Sequence, residues 1–409
     1  MRLHAFIGSV VLAVMFAVPA WAVDFNVSGY GDLRLVAAPK MTSWLDGGLG
    51  KFRYGNGGDA KLAEAVAQAT LSFDDTVSAI AVLRAEPRQS SGLDLLEAYV
   101  SVHPASDGDV SWSAKLGAFF PTISLENDDI GWTSPYTLTP SAINTWIGEE
   151  LRTMGGEGTL RWRTTDFGTL SFTGAVFCCN DPAGVLIADR GWAMDDRPTG
   201  LFEHVRIPDA TQKIFHAPYP AGTGLFDEID HRAGLYGGLT WQMANIGKFQ
   251  ILRYENQGDP AAKMGGIMAW ETKFWSFGAR TQFDDLVLIA QYLAGYTAVE
   301  PKPFPEAITK FQSGFLLASY DLEGVGLPDF RASVRGDLFQ TRHLAATKSP
   351  FSEDGNAVTL SLSWQGMDWL KITGEAVIMD SRRGEYSLVG VPSAAINQAE
   401  FQLVSKFFF

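Results

Sequence analysis

The feature that most constrains this chain is a period-two alternation of apolar and polar residues, repeated in segments of about ten residues right up to the last position. At the C terminus Ala399, Phe401, Leu403, Phe407 and Phe409 occupy one face, while Gln398, Glu400, Gln402 and Lys406 occupy the other. The same pattern sets Phe330, Ala332, Val334 and Leu338 against Arg331, Ser333, Arg335 and Asp337, and Val358, Leu360 and Leu362 against Thr359, Ser361 and Ser363. Successive side chains on a strand point to opposite sides, so each segment reads as a strand with one oily and one wet face.

Marking these segments places strands at 24–36, 64–73, 77–86, 93–102, 111–121, 154–164, 168–179, 231–243, 247–256, 267–283, 286–297, 311–322, 328–340, 357–365, 369–380 and 398–409. The count is sixteen and even. Parity is ambiguous in 247–256, 267–283 and 311–322. The connections sort by length: every second one is short, as in Asp74-Asp75-Thr76, Thr165-Asp166-Phe167, Asp284-Asp285 and Gly366-Met367-Asp368. Those between are mostly long, with residues 122–153 and 180–230 the most extended. Tight turns at one end of an antiparallel sheet and long loops at the other predict an all-β, transmembrane up-and-down β-barrel of sixteen strands, its turns periplasmic and its loops extracellular. A soluble sandwich or propeller uses the same alternation. The barrel is favoured because Phe73, Phe167, Trp241, Phe283, Trp364, Trp369 and Phe409 crowd beside the short turns, where an interfacial aromatic girdle would lie.

The N terminus agrees with that destination. Arg2 begins a basic start, residues 5–18 are uncharged and apolar, and Ala20-Trp21-Ala22 offers small residues at an A-x-A cleavage site. Residues 1–22 therefore read as a cleaved signal peptide and 23–409 as the barrel. The apolar run is shorter than the roughly 20 residues that span a bilayer as a helix. The composition, 46% hydrophobic with only 19% charged, excludes a disordered tail, and a formal charge of −14 argues against nucleic acid as a partner. The only cysteines, Cys178 and Cys179, are adjacent at a strand end. Neighbours on a strand point apart, so they read as structural residues, with a vicinal disulfide or redox role as the lesser alternative.

The terminal Lys406-Phe407-Phe408-Phe409, with Leu403 in step behind it, resembles the C-terminal signature of Gram-negative outer-membrane porins, and the first strand, Phe25 to Gly31, is similar to theirs. The resemblance implies that Leu403, Phe407 and Phe409 form a signal read by the barrel-assembly machinery. It further implies an outer-membrane location among lipid and lipopolysaccharide, a homotrimer, and a third external loop folded into the pore.

A sixteen-stranded barrel is too wide for its own side chains to fill, so its wet face should line a channel. Lys115, Arg161, Arg163, Lys371 and Glu375 are expected in the pore lining. If, as the resemblance implies, 122–153 is the constriction loop, Glu126, Asp128 and Asp129 would face Arg34, Arg84, Arg331 and Arg335 across the narrowest point, where opposed charges select permeants by sign and size; the alternative is that these acids solvate an external loop. The expected function is passive diffusion of small hydrophilic solutes and ions, with a mild cation preference from the acidic loop. A substrate-specific channel is the near alternative, and a barrel-based surface hydrolase or adhesin the more distant one. No G-x-S-x-G, P-loop or H-E-x-x-H is present, so no catalytic residue is assigned and the chain is not read as an enzyme. No cofactor is expected. The acids and histidines of 180–230 lack a tight ligand spacing, so no metal site is assigned.

Overall fold

The computed structural model describes residues 23–87, 92–209, 222–302, 305–344, 351–384, 387 and 393–409. The expected signal peptide, 1–22, lies outside the described residues. Sixteen antiparallel strands close into one barrel. They are β1 (Asp24–Ala37), β2 (Gly58–Ser72), β3 (Val77–Ala85), β4 (Leu93–Val102), β5 (Val110–Phe119), β6 (Thr153–Thr164), β7 (Gly168–Cys178) and β8 (Gly234–Met243) in the first half. The second half comprises β9 (Gly247–Glu255), β10 (Glu271–Phe283), β11 (Leu286–Val299), β12 (Ala307–Asp321), β13 (Phe330–Leu344), β14 (Glu353–Met367), β15 (Leu370–Arg383) and β16 (Ala395–Phe408). Two small hairpins decorate the loops, His204–Arg206 with Gly222–Gly224 and Lys263–Met264 with Ile267–Met268.

Closure falls where the chain ends. β16 pairs with β1 from Tyr30↔Phe408 to Ala37↔Phe401, and Phe409 exchanges two backbone hydrogen bonds of 3.1 Å with Gly29. A Cβ at Gly29 would meet the Val66 carbonyl oxygen at 2.2 Å and the Phe409 ring at 2.7 Å, so only glycine fits this seam. Phe407 and Leu403 point outward and are exposed, with Phe25, Leu33 and Leu35 continuing the apolar belt on β1. Phe167, Phe283, Trp369 and Phe409 are exposed beside the short turns, matching the expected girdle.

Most strands run longer than the alternation indicated, chiefly at their loop ends. β14 begins at Glu353 rather than at 357, because Asp354 and Asn356 occupy its outward face above the apolar Val358, Leu360 and Leu362. The oily face stops there; the ladder of hydrogen bonds does not.

The interior departs further from expectation. The inward faces of β10 to β15 carry Phe274, Ile289, Leu293, Phe311, Phe315, Leu317, Phe339, Val377 and Met379, all buried in one apolar cluster. Strands with apolar residues on both faces have no readable parity, which is why 267–283 and 311–322 were ambiguous.

Cys178 and Cys179 are joined in a vicinal disulfide, which corrects their reading as separate structural residues. Cys179 lies just past β7 with a left-handed φ of 73°, so the pair sits where the chain turns off the strand.

Candidate functional site

What the apolar wall packs against is loop. The connection between β5 and β6 enters the lumen and forms helix α1, Ala142–Glu150. Pro140 precedes it and the Ser141 hydroxyl caps it, accepting the Asn144 N–H at 3.2 Å. All nine residues of α1 are buried. Trp146 sits edge-on to Phe274 and Phe311, with ring centroids 5.5 and 5.0 Å apart.

Carboxylates hold this loop by its backbone. Glu375 on β15 accepts the Leu138 and Thr139 N–H groups at 2.6 and 2.8 Å. Asp337 on β13 accepts the Ala142 N–H at 3.1 Å and the Arg335 guanidinium at 2.8 Å. Within the loop, Glu126 accepts the Ser141 N–H and the Asn144 amide, both at 2.7 Å, and lies 3.4 Å from Arg335. Arg335 also donates to the Thr139 and Pro140 carbonyls, so it holds the loop as a backbone clamp as well as a charge.

The connection between β7 and β8 enters as well, through a short helix α2, Val185–Asp189, and the buried stretch to Ile207. Glu150, the last residue of α1, receives the Leu186 and Gly184 N–H groups at 2.8 and 3.2 Å and the Trp146 indole at 2.5 Å. Burial pushes its carboxyl up to about 7, against the pull of those three donors and of Arg190. Arg190 makes a two-pronged pair with Glu149 at 2.7 and 2.6 Å and lies over the Trp44 ring. Lys51, from the first loop, pairs with Glu353 at 2.7 Å. Burial pulls its ammonium down to about 8 despite that partner.

Beside these loops lies a buried charge cluster on β1, β2 and β3. Asp196 accepts from Arg34 at 2.8 Å and from Arg53 at 3.0 Å; Arg34 also pairs with Asp32. Arg197 pairs with Glu86 at 2.5 Å and with Glu203, while Arg84 donates to the Pro198 carbonyl. Glu64 lies 3.6 Å from Arg53 and accepts the Tyr30 hydroxyl at 2.8 Å. Charges removed from water persist only when paired and hydrogen-bonded, and the wall, the first loop and the β7–β8 loop supply one another's partners here.

The expected residues are therefore distributed differently from the expected constriction. Glu126 and Arg335 do meet. Asp128 instead pairs with Arg280 at 2.7 Å, Asp129 lines a cavity near Lys371 and Lys406, and Arg331 pairs with Asp321 at 2.9 Å. Arg34 and Arg84 face the β7–β8 loop, not the acids of 122–153. Lys115, 3.8 Å from Glu157, and Arg161, bonded to Ser113, face inward, whereas Arg163 is exposed at the periplasmic edge. Sequence reasoning missed Arg53, Glu149, Glu150, Arg190, Asp196 and Arg197, because acids and bases in a long external loop read as solvated. The one available signal was the density of Trp, Met and Ile between 185 and 194, unusual for a solvated loop.

Asp181, Glu228 and Asp230 approach one another closely enough to hold a cation. Their oxygens, however, accept the backbone N–H groups of Ile229, Asp230, Cys179, His231 and Asp259, so the cluster builds the loop.

No family model and no curated sequence matches the chain. Solved structures do. The outer-membrane channel DcaP of Acinetobacter baumannii superposes with a TM-score of 0.56 at 10% identity, covering 95% of this chain and 97% of that one. The anion-selective porin from Comamonas acidovorans gives 0.52 at 12% identity over 95% and 100% of the two chains. In-vitro folded OmpT of Vibrio cholerae gives 0.54 at 9% identity over 96% and 99%. The chain has the porin fold. Within that fold, the barrel of this protein takes two loops into its lumen, with the charge cluster where the second meets the wall.

Proposed function

We propose that this protein is an outer-membrane channel that admits small hydrophilic solutes by passive diffusion, its constriction built jointly by the β5–β6 and β7–β8 loops. One observation carries the reading: the inserted loops are fixed to the wall by ion pairs and backbone hydrogen bonds, while the wall below them is lined by polar and charged side chains. Lys115, Arg161, Lys248, Arg280, Arg331, Lys371 and Lys406 lie on the inward faces of the strands toward the short turns, accompanied by Asp128, Asp129 and Glu157. A sealed structural barrel has no use for such a vestibule. The packed constriction favours a narrow, selective pathway over a wide general one. A homotrimer fits the same reading, since Vibrio cholerae OmpT has been solved in a trimer form. Lipopolysaccharide outside and the barrel-assembly machinery acting on the terminal strand are its expected partners.

The test is single-channel recording from the refolded mature protein in planar lipid bilayers, alongside a variant in which residues 184–207 are replaced by a short Gly-Ser linker. The wild type should show small, discrete steps, and the variant steps several-fold larger. A folded barrel that stays silent in both forms would refute the channel.

A further inference from the structure

Lys371 and Lys406 stand directly opposite each other on β15 and β16. Both point inward beneath the constriction loop. Like charges at directly opposed positions destabilise an antiparallel ladder. On its other side Lys406 faces Asp32 of β1, whose carboxylate is paired with Arg34. Lys371 donates to the Pro135 carbonyl at 3.0 Å, and Lys406 lies 4.3 Å from the centre of the Tyr30 ring. Among the described residues no carboxylate lies within ion-pair distance of either ammonium. The acids nearby are committed: Asp32 to Arg34, Asp321 to Arg331 and Asp128 to Arg280. Asp129 shares the lysines' cavity without an ion-pair contact to either, a single carboxylate against two ammonium groups.

The cavity itself measures about 360 Å³. Its remaining wall includes the hydroxyl-bearing Ser134, Ser363 and Thr373, with Tyr30 and Phe408 forming an aromatic side. Two converging cations, hydroxyl donors and an aromatic flank in a concave space of this size fit a small organic anion.

We propose that this cavity binds the carboxylate or phosphate group of a small anionic solute on the periplasmic side of the constriction, with the ammonium groups of Lys371 and Lys406 as its paired donors. As a docking point for a permeant it rests on the channel reading, and it replaces the mild cation preference expected from the acidic loop with a preference for anions at the exit. An anion between the two ammonium groups turns a repulsion into two attractions. Asp129 is the single carboxylate among the described residues that line this cavity, so two ammonium groups outweigh it.

Equilibrium titration calorimetry on the detergent-refolded barrel tests the site without requiring conduction. Succinate, inorganic phosphate and glucose serve as probes at low ionic strength. Saturable binding of succinate, of phosphate or of both is expected, with glucose silent; which anion responds identifies the headgroup chemistry. Lys371→Gln and Lys406→Gln should each weaken that binding at least tenfold. Both substitutions relieve a like-charge contact, so both should retain heat-modifiable migration, and either one alone suffices if the other fails to fold. Unchanged affinity in the folded variants, equal binding of glucose, or no binding of either anion overturns the proposal. Anion binding by a barrel that does not conduct would sink the channel reading and leave the site standing; conduction without anion binding would do the reverse.

Discussion

Arg34 on β1 donates to Asp196 in the β7–β8 loop at 2.8 Å, joining the barrel wall to a segment 162 positions away. Asp196 accepts from Arg53 of the first loop as well. Burial by itself would raise the Asp196 pKa, but the two guanidinium groups more than offset it and hold the carboxyl well below the ordinary range. A depressed pKa stabilises at every pH above the unfolded value and is lost only as pH falls through the folded one, so this contact survives moderate acid.

Asp196→Ala should therefore release the inserted segment. Arg53 would keep its donation to the Ala63 carbonyl at 3.1 Å and the longer contacts to Glu86 and Glu64, at 3.4 and 3.6 Å. Breaking a buried pair by removing one partner costs about 3 kcal/mol or more. The expected outcome is a lower temperature for heat-modifiable unfolding together with larger or noisier single-channel steps. A variant unchanged in both would show that Asp196 does not secure the loop.

Glu150 carries the opposite sign. Its folded pKa, raised to about 7, lies above the unfolded value near 4.5. The folded state thus binds the extra proton between those limits. Stability is highest below the unfolded pKa and declines as pH rises through about 7, by an amount on the order of 3 kcal/mol if the whole shift is expressed. Glu150→Gln keeps an acceptor for the Leu186 N–H and removes the charge. Thermal scans from pH 4 to 8 should show the wild type losing stability between about 4.5 and 7 and levelling off above, with the variant running flatter. Parallel curves would refute the assignment.

These two residues also mark how far the sequence could be read. Alternation, the unequal connections and the terminal Phe409 gave the barrel, its strand number and its direction, because a lipid-facing strand must show its apolar side at every second position. Interior packing carries no such period. Phe311 and Phe315 read as strand residues of uncertain face; they point inward into the apolar cluster that the inserted loops complete, where Trp146 packs edge-on to Phe311. Asp196 is one acid among many in a long loop; its partners come from β1 and from the first loop, and no spacing in the chain links them. Glu126 and Arg335 were anticipated as opposed charges because the alternation puts Arg335 on the wet face and the resemblance puts the loop of Glu126 in the lumen. Arg34 and Arg84 were assigned to the wrong loop because strand order fixes a wall position without saying which connection folds down onto it.

Trp146 joins the two inserted loops to the wall. It is fully buried, packs edge-on against Trp192 of the β7–β8 loop as well as Phe274 and Phe311, and donates its indole N–H to Glu150. Trp146→Ala leaves a cavity and costs about 3–5 kcal/mol at a site that cannot collapse. Because the loss falls on lumen packing and not on the strand ladder, β-sheet circular dichroism should persist while near-ultraviolet signal falls and conductance rises. Loss of the sheet signal along with the rest would mean that the loops are part of the barrel's own folding core.

The final residue closes the barrel and is exposed to the membrane interface at the same time. Phe409 contributes two backbone hydrogen bonds to Gly29, yet its ring is 67% exposed. These roles separate by mutation. Phe409→Ala retains both hydrogen bonds and removes only the ring, while deletion of Phe409 removes all three. If the ring serves as the signal for assembly in the outer membrane, Phe409→Ala should lower the amount of folded protein in cells several-fold while refolding into detergent at close to the wild-type yield. Deletion should lower both, since each net hydrogen bond is worth about 1 kcal/mol at the closing seam. Equal cellular yields for wild type and Phe409→Ala would assign the ring to the interfacial girdle alone. Equal defects for the two variants in detergent would place its contribution in the packing over Gly29, where no side chain other than hydrogen leaves room for it.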